Sequence, residues 1–316
     1  MATRDDQAAL LALLNVKGVD WSWIARECVT PADVERLASG DARESSAAAT
    51  SGVAALRAQA AMPAGERHRL RADALAIIDR AESAGARLAT VLDDDYPPIL
   101  RTIFDLPPML FYRGTLRDED TRAVAVVGTR QPSEEGVRRA NKMARLLAAR
   151  GIAVVSGLAA GIDTAAHEGA LSSGGRTIAV IGTGILQPTY PRANAALADA
   201  IVERGAIVSQ FWPTQPPTRY TFPRRNAVMS GLAQGSVVIE ASSTSGAKLQ
   251  ARLALRHGRR VFLLRSLVDT HEWARRYATL PGAEVVDDVD DVEQALIDPT
   301  SVRQLSEQRR QLELAF

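Results

Sequence analysis

From residue 122 onward, short β-branched, apolar runs alternate with stretches of helical character, and this alternation leaves few folds open. Strands are expected at 123–127, 152–155, 177–181, 206–209, 236–239 and 260–264, and helices at 134–150, 163–173, 192–204, 224–233, 246–257 and 290–297. A repeat of this kind builds a doubly wound, mostly parallel α/β sheet. In such sheets ligands bind where strand ends turn into helices, because backbone N–H groups gather there.

Three runs mark such places. They are Val127-Gly128-Thr129-Arg130, Ser156-Gly157-Leu158-Ala159-Ala160-Gly161-Ile162-Asp163, and Phe222-Pro223-Arg224-Arg225-Asn226. Each carries a cation or a small hydroxyl, as phosphate recognition requires. Gly128 lets the backbone approach a phosphate, with Thr129 beside it, and Arg130 can fork onto its oxygens. Ser156, Gly157 and Gly161 are expected to form an anion loop, with Asp163 capping the helix that carries His167. For His167 a capping or core hydrogen bond is the preferred role. Gly182-Thr183-Gly184 can add a further wall. Ser245 and Gly246 repeat the hydroxyl-plus-glycine cradle, with Lys248 one turn into the following helix.

The run from Arg219 to Asn226 interleaves aromatics with cations, as single-stranded nucleic acid requires: cations for phosphates and ring faces for unstacked bases. Phe222 suits either stacking or packing beneath its helix. Charge supports a polyanion partner. Residues 121–270 hold 19 Lys/Arg against 8 Asp/Glu, whereas 1–120 and 271–316 each sum to −5, within an overall charge of +1. A basic middle between acidic ends is an electrostatic footprint. Arginines such as Arg138, Arg139 and Arg145 are read as ordinary solvated helix residues.

Several classes are disfavoured. G-x-G-x-x-G spacing fails and no acidic residue closes the second strand, so NAD is not expected. No P-loop sequence occurs. Cys28 is the only cysteine, and the four histidines lack metal-ligand spacing, so no metal or cofactor is expected. Neither a leader nor an apolar run near a membrane span is visible, which reads as a cytoplasmic chain without a membrane partner.

With 316 residues, 46% of them hydrophobic, one large domain and a smaller one are expected. Residues 1–64 read as a small helical domain with an Ala-rich linker. Residues 65–298 read as the sheet domain with a helix at 65–85 and a proline-rich leading connector, and 299–316 as a tail. Gly18 between short helices has the look of a helix-hairpin-helix turn. A helical core holding Trp21 and Trp23 is the better reading.

Residues from about 90 to 290 resemble the DNA-processing protein A (DprA/Smf) family. The matching runs are Tyr96-Pro97, the three above, Ala166-His167, Gly169-Ala170-Leu171, Tyr190-Pro191, Ser230-Gly231-Leu232 and Ser245-Gly246. The resemblance implies an extended Rossmann-like fold, a homodimer, single-stranded DNA binding, and a role in bringing the RecA recombinase onto DNA in natural transformation. It implies that Arg130, Arg219, Phe222 and Arg225 line the DNA pocket, and the motifs add Arg224, Asn226 and Lys248 as candidate nucleic-acid contacts. Ser156, Gly157, Gly161, Ser245 and Gly246 would shape it. Departures are Gln210 after Ser209, Ala227 after Asn226, Arg265-Ser266 where Pro-Gly is expected, and too few residues after Leu296 for a winged helix. The competing reading is a nucleotide sensor or nucleotide-processing enzyme on this fold, as in phage defence. No catalytic constellation supports an enzyme.

Overall fold

The computed structural model describes residues 2–42, 47–298, 300–302, 304 and 306–308. The expected tail from 299 therefore lies largely outside the described residues. Among the described residues no helix is long and apolar enough to cross a membrane.

Five helices open the chain: α1 (Arg4–Leu14), α2 (Trp21–Glu27), α3 (Pro31–Ala38), α4 (Ala47–Ala60) and α5 (Ala64–Ser83). Thr3, Asp20 and Thr30 cap the first three, and Pro31 sits at the first position of α3, where its missing N–H costs nothing. Leu10, Leu11, Trp23, Ile24 and Leu37 are buried between them, and α5 packs on α1. The buried cluster runs on without a break into the sheet.

The sheet has nine strands: β1 (Arg87–Thr90), β2 (Met109–Gly114), β3 (Ala123–Val127), β4 (Ala153–Ser156), β5 (Thr177–Val180), β6 (Ala206–Ser209), β7 (Gly235–Val238), β8 (Arg260–Leu264) and β9 (Ala283–Val286). Their order is β1-β2-β6-β5-β4-β3-β7-β8-β9. Pairing is parallel from β6 to β9, and antiparallel where β2 joins β6 and β1 joins β2. All residues of β3 and β4 are buried, as helix-covered parallel strands must be.

The covering helices are α6 (Glu134–Ala149), α7 (Ile162–Ser172), α8 (Ala195–Arg204), α9 (Thr221–Gly231), α10 (Gly246–Arg256), α11 (Arg265–Thr270), α12 (Glu272–Ala278) and α13 (Val289–Gln294). The expected strands at 123–127, 206–209 and 260–264 appear with those bounds. The strands β1, β2 and β9 were not expected. β1 and β9 are the two edges of the sheet, and β2, next to β1, follows directly on Pro107-Pro108, where the sequence reads as a connector.

Candidate nucleic-acid interface

β3 lies between β4 and β7, so the chain's winding reverses there, and a crevice opens outside the strand ends. The crevice has a volume of about 380 Å³. Gly128 to Arg130 supply one wall, Ala159 and Asp163 the second, α9 the third, and Ser242 to Ala247 the fourth.

The third wall depends on where α9 starts. The helix begins at Thr221, not at 224 as expected, so the Phe-Pro-Arg-Arg-Asn run lies within its first turns. Helical periodicity then puts Phe222, Arg225, Asn226 and Met229 on the crevice face. Arg224 leaves on another face. Its guanidinium stands over the rings of Trp21, at 5.4 Å, and Phe211, at 5.9 Å, in a separate cleft. This corrects the expectation that Arg224 and Arg225 act together.

Phe222 is half-buried, and its ring seats against Gly182, where a β-carbon would come within 2.8 Å of it. The Arg130 guanidinium lies over the same ring, 5.3 Å from its centre. Tyr190, 55% exposed, tilts against Phe222 at 6.3 Å. Packing and exposure therefore coexist at Phe222: one side is seated, the other carries a cation.

Arg225 is buried behind them. Gly157 makes room for it, since a β-carbon there would fall 1.6 Å from its Nη1. Asp163 faces it at 4.0 Å, and Nη1 also reaches the Met229 sulfur at 3.3 Å. Its Nε has no partner among the described residues. Burial pulls the Arg225 guanidinium below its ordinary range, with Asp163 opposing and the Arg130 charge adding to the fall. Burial likewise pushes the Asp163 carboxyl up, against the pull of Arg225 and the Ala159 N–H. Asp163 is the second residue of α7, whose N-cap is Gly161. It is thus a buried counter-charge and not the expected cap.

The loops differ from expectation in what they leave free. The Ser156 hydroxyl is buried and donates to the Val126 carbonyl at 2.7 Å, so it braces β4 to β3, and it lies beside the buried Asp163 carboxylate. The Thr129 N–H donates to the Glu240 carbonyl at 2.7 Å, and its carbonyl accepts from Ile162 at 3.2 Å. Gly128 abuts Ile162, and Gly161, at φ +83°, comes so near that a β-carbon would lie 2.6 Å from the Thr129 oxygen. Leu158 adopts a left-handed φ of 55°, a strained state held by its buried side chain and by Asn194, which donates to its carbonyl at 3.0 Å. Ser245 caps α10 by accepting from Ala247 at 3.1 Å, and Gly246 stands exposed with open space about it. Lys248 turns away, its Nζ 5.8 Å from the Trp273 ring centre. Arg219 also stands off the crevice wall, stacked at 4.7 Å on Tyr220, which is 65% exposed.

Polar groups with catalytic potential are otherwise engaged. The Glu240 carboxylate accepts from the Ser133 N–H at 3.1 Å and its hydroxyl at 2.7 Å, securing the start of α6. His167 is wholly buried, with Nδ1 bonded to the Thr177 hydroxyl at 2.7 Å, the expected core hydrogen bond. Burial and the Arg225 charge push its pKa down to about 3. His257 bonds Ser230 at 3.0 Å through Nδ1 and Asp105 at 2.7 Å through Nε2. Ser230 is fully buried, so this line offers no accessible nucleophile.

Sequence reasoning missed Tyr190 as a ring neighbour of Phe222 and the Asp163–Arg225 pairing. The run Tyr190-Pro191 signalled the first. Nothing local signals the second, which joins residues 62 positions apart (163 to 225).

Residues 87–296 match the family model of DNA recombination-mediator protein A. The DNA processing protein DprA of Streptococcus pneumoniae is 41% identical over 204 residues, 64% of this chain and 72% of its own. Protein Smf of Escherichia coli is 45% identical over 170 residues, and the match spans 45% of its length. The X-ray structure of the pneumococcal DprA superposes with a TM-score of 0.71 at 30% identity, covering 94% of this chain and 99% of that one. A Helicobacter pylori DNA processing protein A structure, described as giving insights into a single-stranded DNA binding mode, reaches 0.58 at 26% identity, covering 66% and 94%.

Proposed function

The chain belongs to the DNA recombination-mediator protein A family, and from that membership we propose that it binds single-stranded DNA in the crevice at the β3–β7 switch point. One observation carries the reading: Arg130 lies over the half-exposed Phe222 ring directly beside the buried cation Arg225. A ring face serves an unstacked base, and adjacent cations serve its phosphates. Arg225 is fixed in place on folding, so ordering it costs the complex nothing.

The protein acts without chemistry of its own in this proposal. Asp163 is committed to Arg225 and Glu240 to Ser133, which leaves no unengaged carboxylate at the crevice to act as a base. Its role is to present the strand to a RecA-type recombinase as a homodimer, the part that its relatives' sequence pattern implies. Light scattering gives twice the monomer mass if the dimer forms, and a RecA pull-down on DNA-loaded protein tests the partner. A free nucleotide as ligand is the second reading, favoured by a crevice of about 380 Å³, a size that suits a small molecule.

Fluorescence anisotropy with labelled oligo(dT), challenged by duplex DNA and by ATP, NAD and nucleoside monophosphates, tests both. Tight binding of the oligonucleotide that duplex and nucleotides fail to displace is expected. Displacement by one nucleotide at low concentration would move the assignment to the second reading.

A further inference from the structure

A larger cleft of about 650 Å³ lies between α2 and the α9–α10 pair. It adjoins the crevice: Pro223 and Leu249 line both. Arg224 stands over Trp21 at 5.4 Å, and Arg256 over the exposed Phe104 at 4.8 Å. This repeats, with similar spacing, the arrangement of Arg130 over Phe222 at 5.3 Å. Arg252, exposed one turn before Arg256 on α10, adds a third charge.

None of these three arginines forms an ion pair with a described residue, although like charges one helical turn apart repel. The two carboxylates of the cleft are otherwise engaged. Asp20 accepts from the Ser22 and Trp23 N–H groups, and Asp105 is bonded to His257. Unpaired cations beside aromatic faces, continuous with a crevice of the same make-up, are the chemistry of a track for unpaired bases.

We infer that a single DNA strand held in the crevice passes over Pro223 and Leu249 into this cleft, where Trp21, and Phe104 beside the cleft under Arg256, face its bases and Arg224, Arg252 and Arg256 its phosphates. The inference rests on the single-strand reading of the crevice. It gives the N-terminal helices a part in binding, since α2 supplies Trp21.

Length dependence tests it. Anisotropy is measured with oligo(dT) of about 4 and about 16 nucleotides, the span of single-strand site sizes. The double variant Arg252→Gln/Arg256→Gln, at two exposed positions, should weaken the long oligonucleotide about tenfold and lower its salt slope by about 1.4, two phosphate contacts. The short one should bind as before. Trp21→Ala should act in the same direction and Trp21→Phe should restore binding, with the arginine variant decisive where Trp21→Ala unfolds. Equal binding of both lengths by variant and wild type, or equal weakening of both, would overturn the inference while leaving the crevice assignment intact. Failure of the wild type to bind either length would defeat the crevice reading itself. Displacement of the long oligonucleotide by poly-glutamate at matched charge would overturn the inference in favour of an acidic chain.

Discussion

Arginines near β9 and α13 and arginines around the crevice come from the same basic stretch of sequence, yet they face opposite kinds of partner. Arg122 meets Glu293 at 2.6 Å, Arg150 meets Glu293 at 2.9 Å, Arg260 meets Glu284 at 2.7 Å and Arg265 meets Asp287 at 2.7 Å. All those carboxylates belong to the acidic segment after residue 270. Arg138 and Arg139 pair with Glu135 on their own helix, at 2.9 and 3.0 Å. Around the crevice and cleft, Arg130, Arg224 and Arg256 lie over rings instead. A charge count along the chain therefore overstates the footprint in one place and hides its concentration in another. Folding cancels part of the basic stretch and leaves the remainder where an anion can reach it.

Arg225 stands apart from both groups, since it is buried and faces a carboxylate inside the crevice wall, and Arg225→Ala has the largest expected effect. Removing this guanidinium strands Asp163, and loss of one member of a buried pair typically costs about 3–5 kcal/mol. Urea unfolding of Arg225→Ala should show a loss of that order. A loss below about 1 kcal/mol would mean that water already solvates the pair and that Arg225 behaves like the surface-paired arginines.

Phe222→Ala separates ring-bound from carboxylate-bound arginines by function. It should reduce single-stranded DNA affinity by about 1–3 kcal/mol while the protein stays folded. Unchanged affinity with lowered Tm would reassign the ring to packing alone.

Titration adds a third contrast. His167 has a folded pKa of about 3 against 6.5 for the unconstrained ring, so the unfolded chain binds the extra proton first. Stability is full above pH 6.5 and falls as pH drops toward 3, by about 1.4 kcal/mol per unit. Asp163, with its raised pKa, works in the opposite sense, so the slope is read as the difference between wild type and His167→Gln. Parallel pH curves for the two proteins would contradict the burial of a neutral ring.

The smallest effect is the sharpest comparison. Arg130→Ala should flatten the logarithmic salt dependence of binding by about 0.7, one phosphate contact, whereas Arg265→Ala should leave it unchanged. Equal slopes in both variants would erase the distinction between the two groups.

The sheet was readable from residue order because buried parallel strands write themselves as unbroken apolar runs. Residues 123–127 and 261–264 are such runs, and the glycines after β3 and β4 marked the turns that end those strands. The site was readable in its residues more than in its roles. Arg130, Phe222 and Arg225 come together as expected. The facing of Arg224, however, turns on a helix start three residues earlier than the proline suggested. The Thr129 N–H and the Ser156 hydroxyl looked free in sequence, yet the strands that claim them are fixed only by the sheet order. The cleft was invisible because Trp21, Arg224 and Arg256 come from distant parts of the chain and meet only where the fold sets α2 across from α9 and α10.

Gly157 and Gly161 carry a consequence for how this binding surface can change. A methyl group at either would meet the Arg225 guanidinium or the Thr129 oxygen at 1.6 or 2.6 Å, so every single-residue replacement there displaces the floor of the crevice. Arg219 and Tyr220, both exposed and stacked on each other off the crevice wall, are permissive by contrast. Selection or engineering that seeks a tighter or looser grip thus has an asymmetric route. A side chain at either glycine must move Arg225 or the Thr129 backbone, whereas a change at the exposed pair need move no packed group.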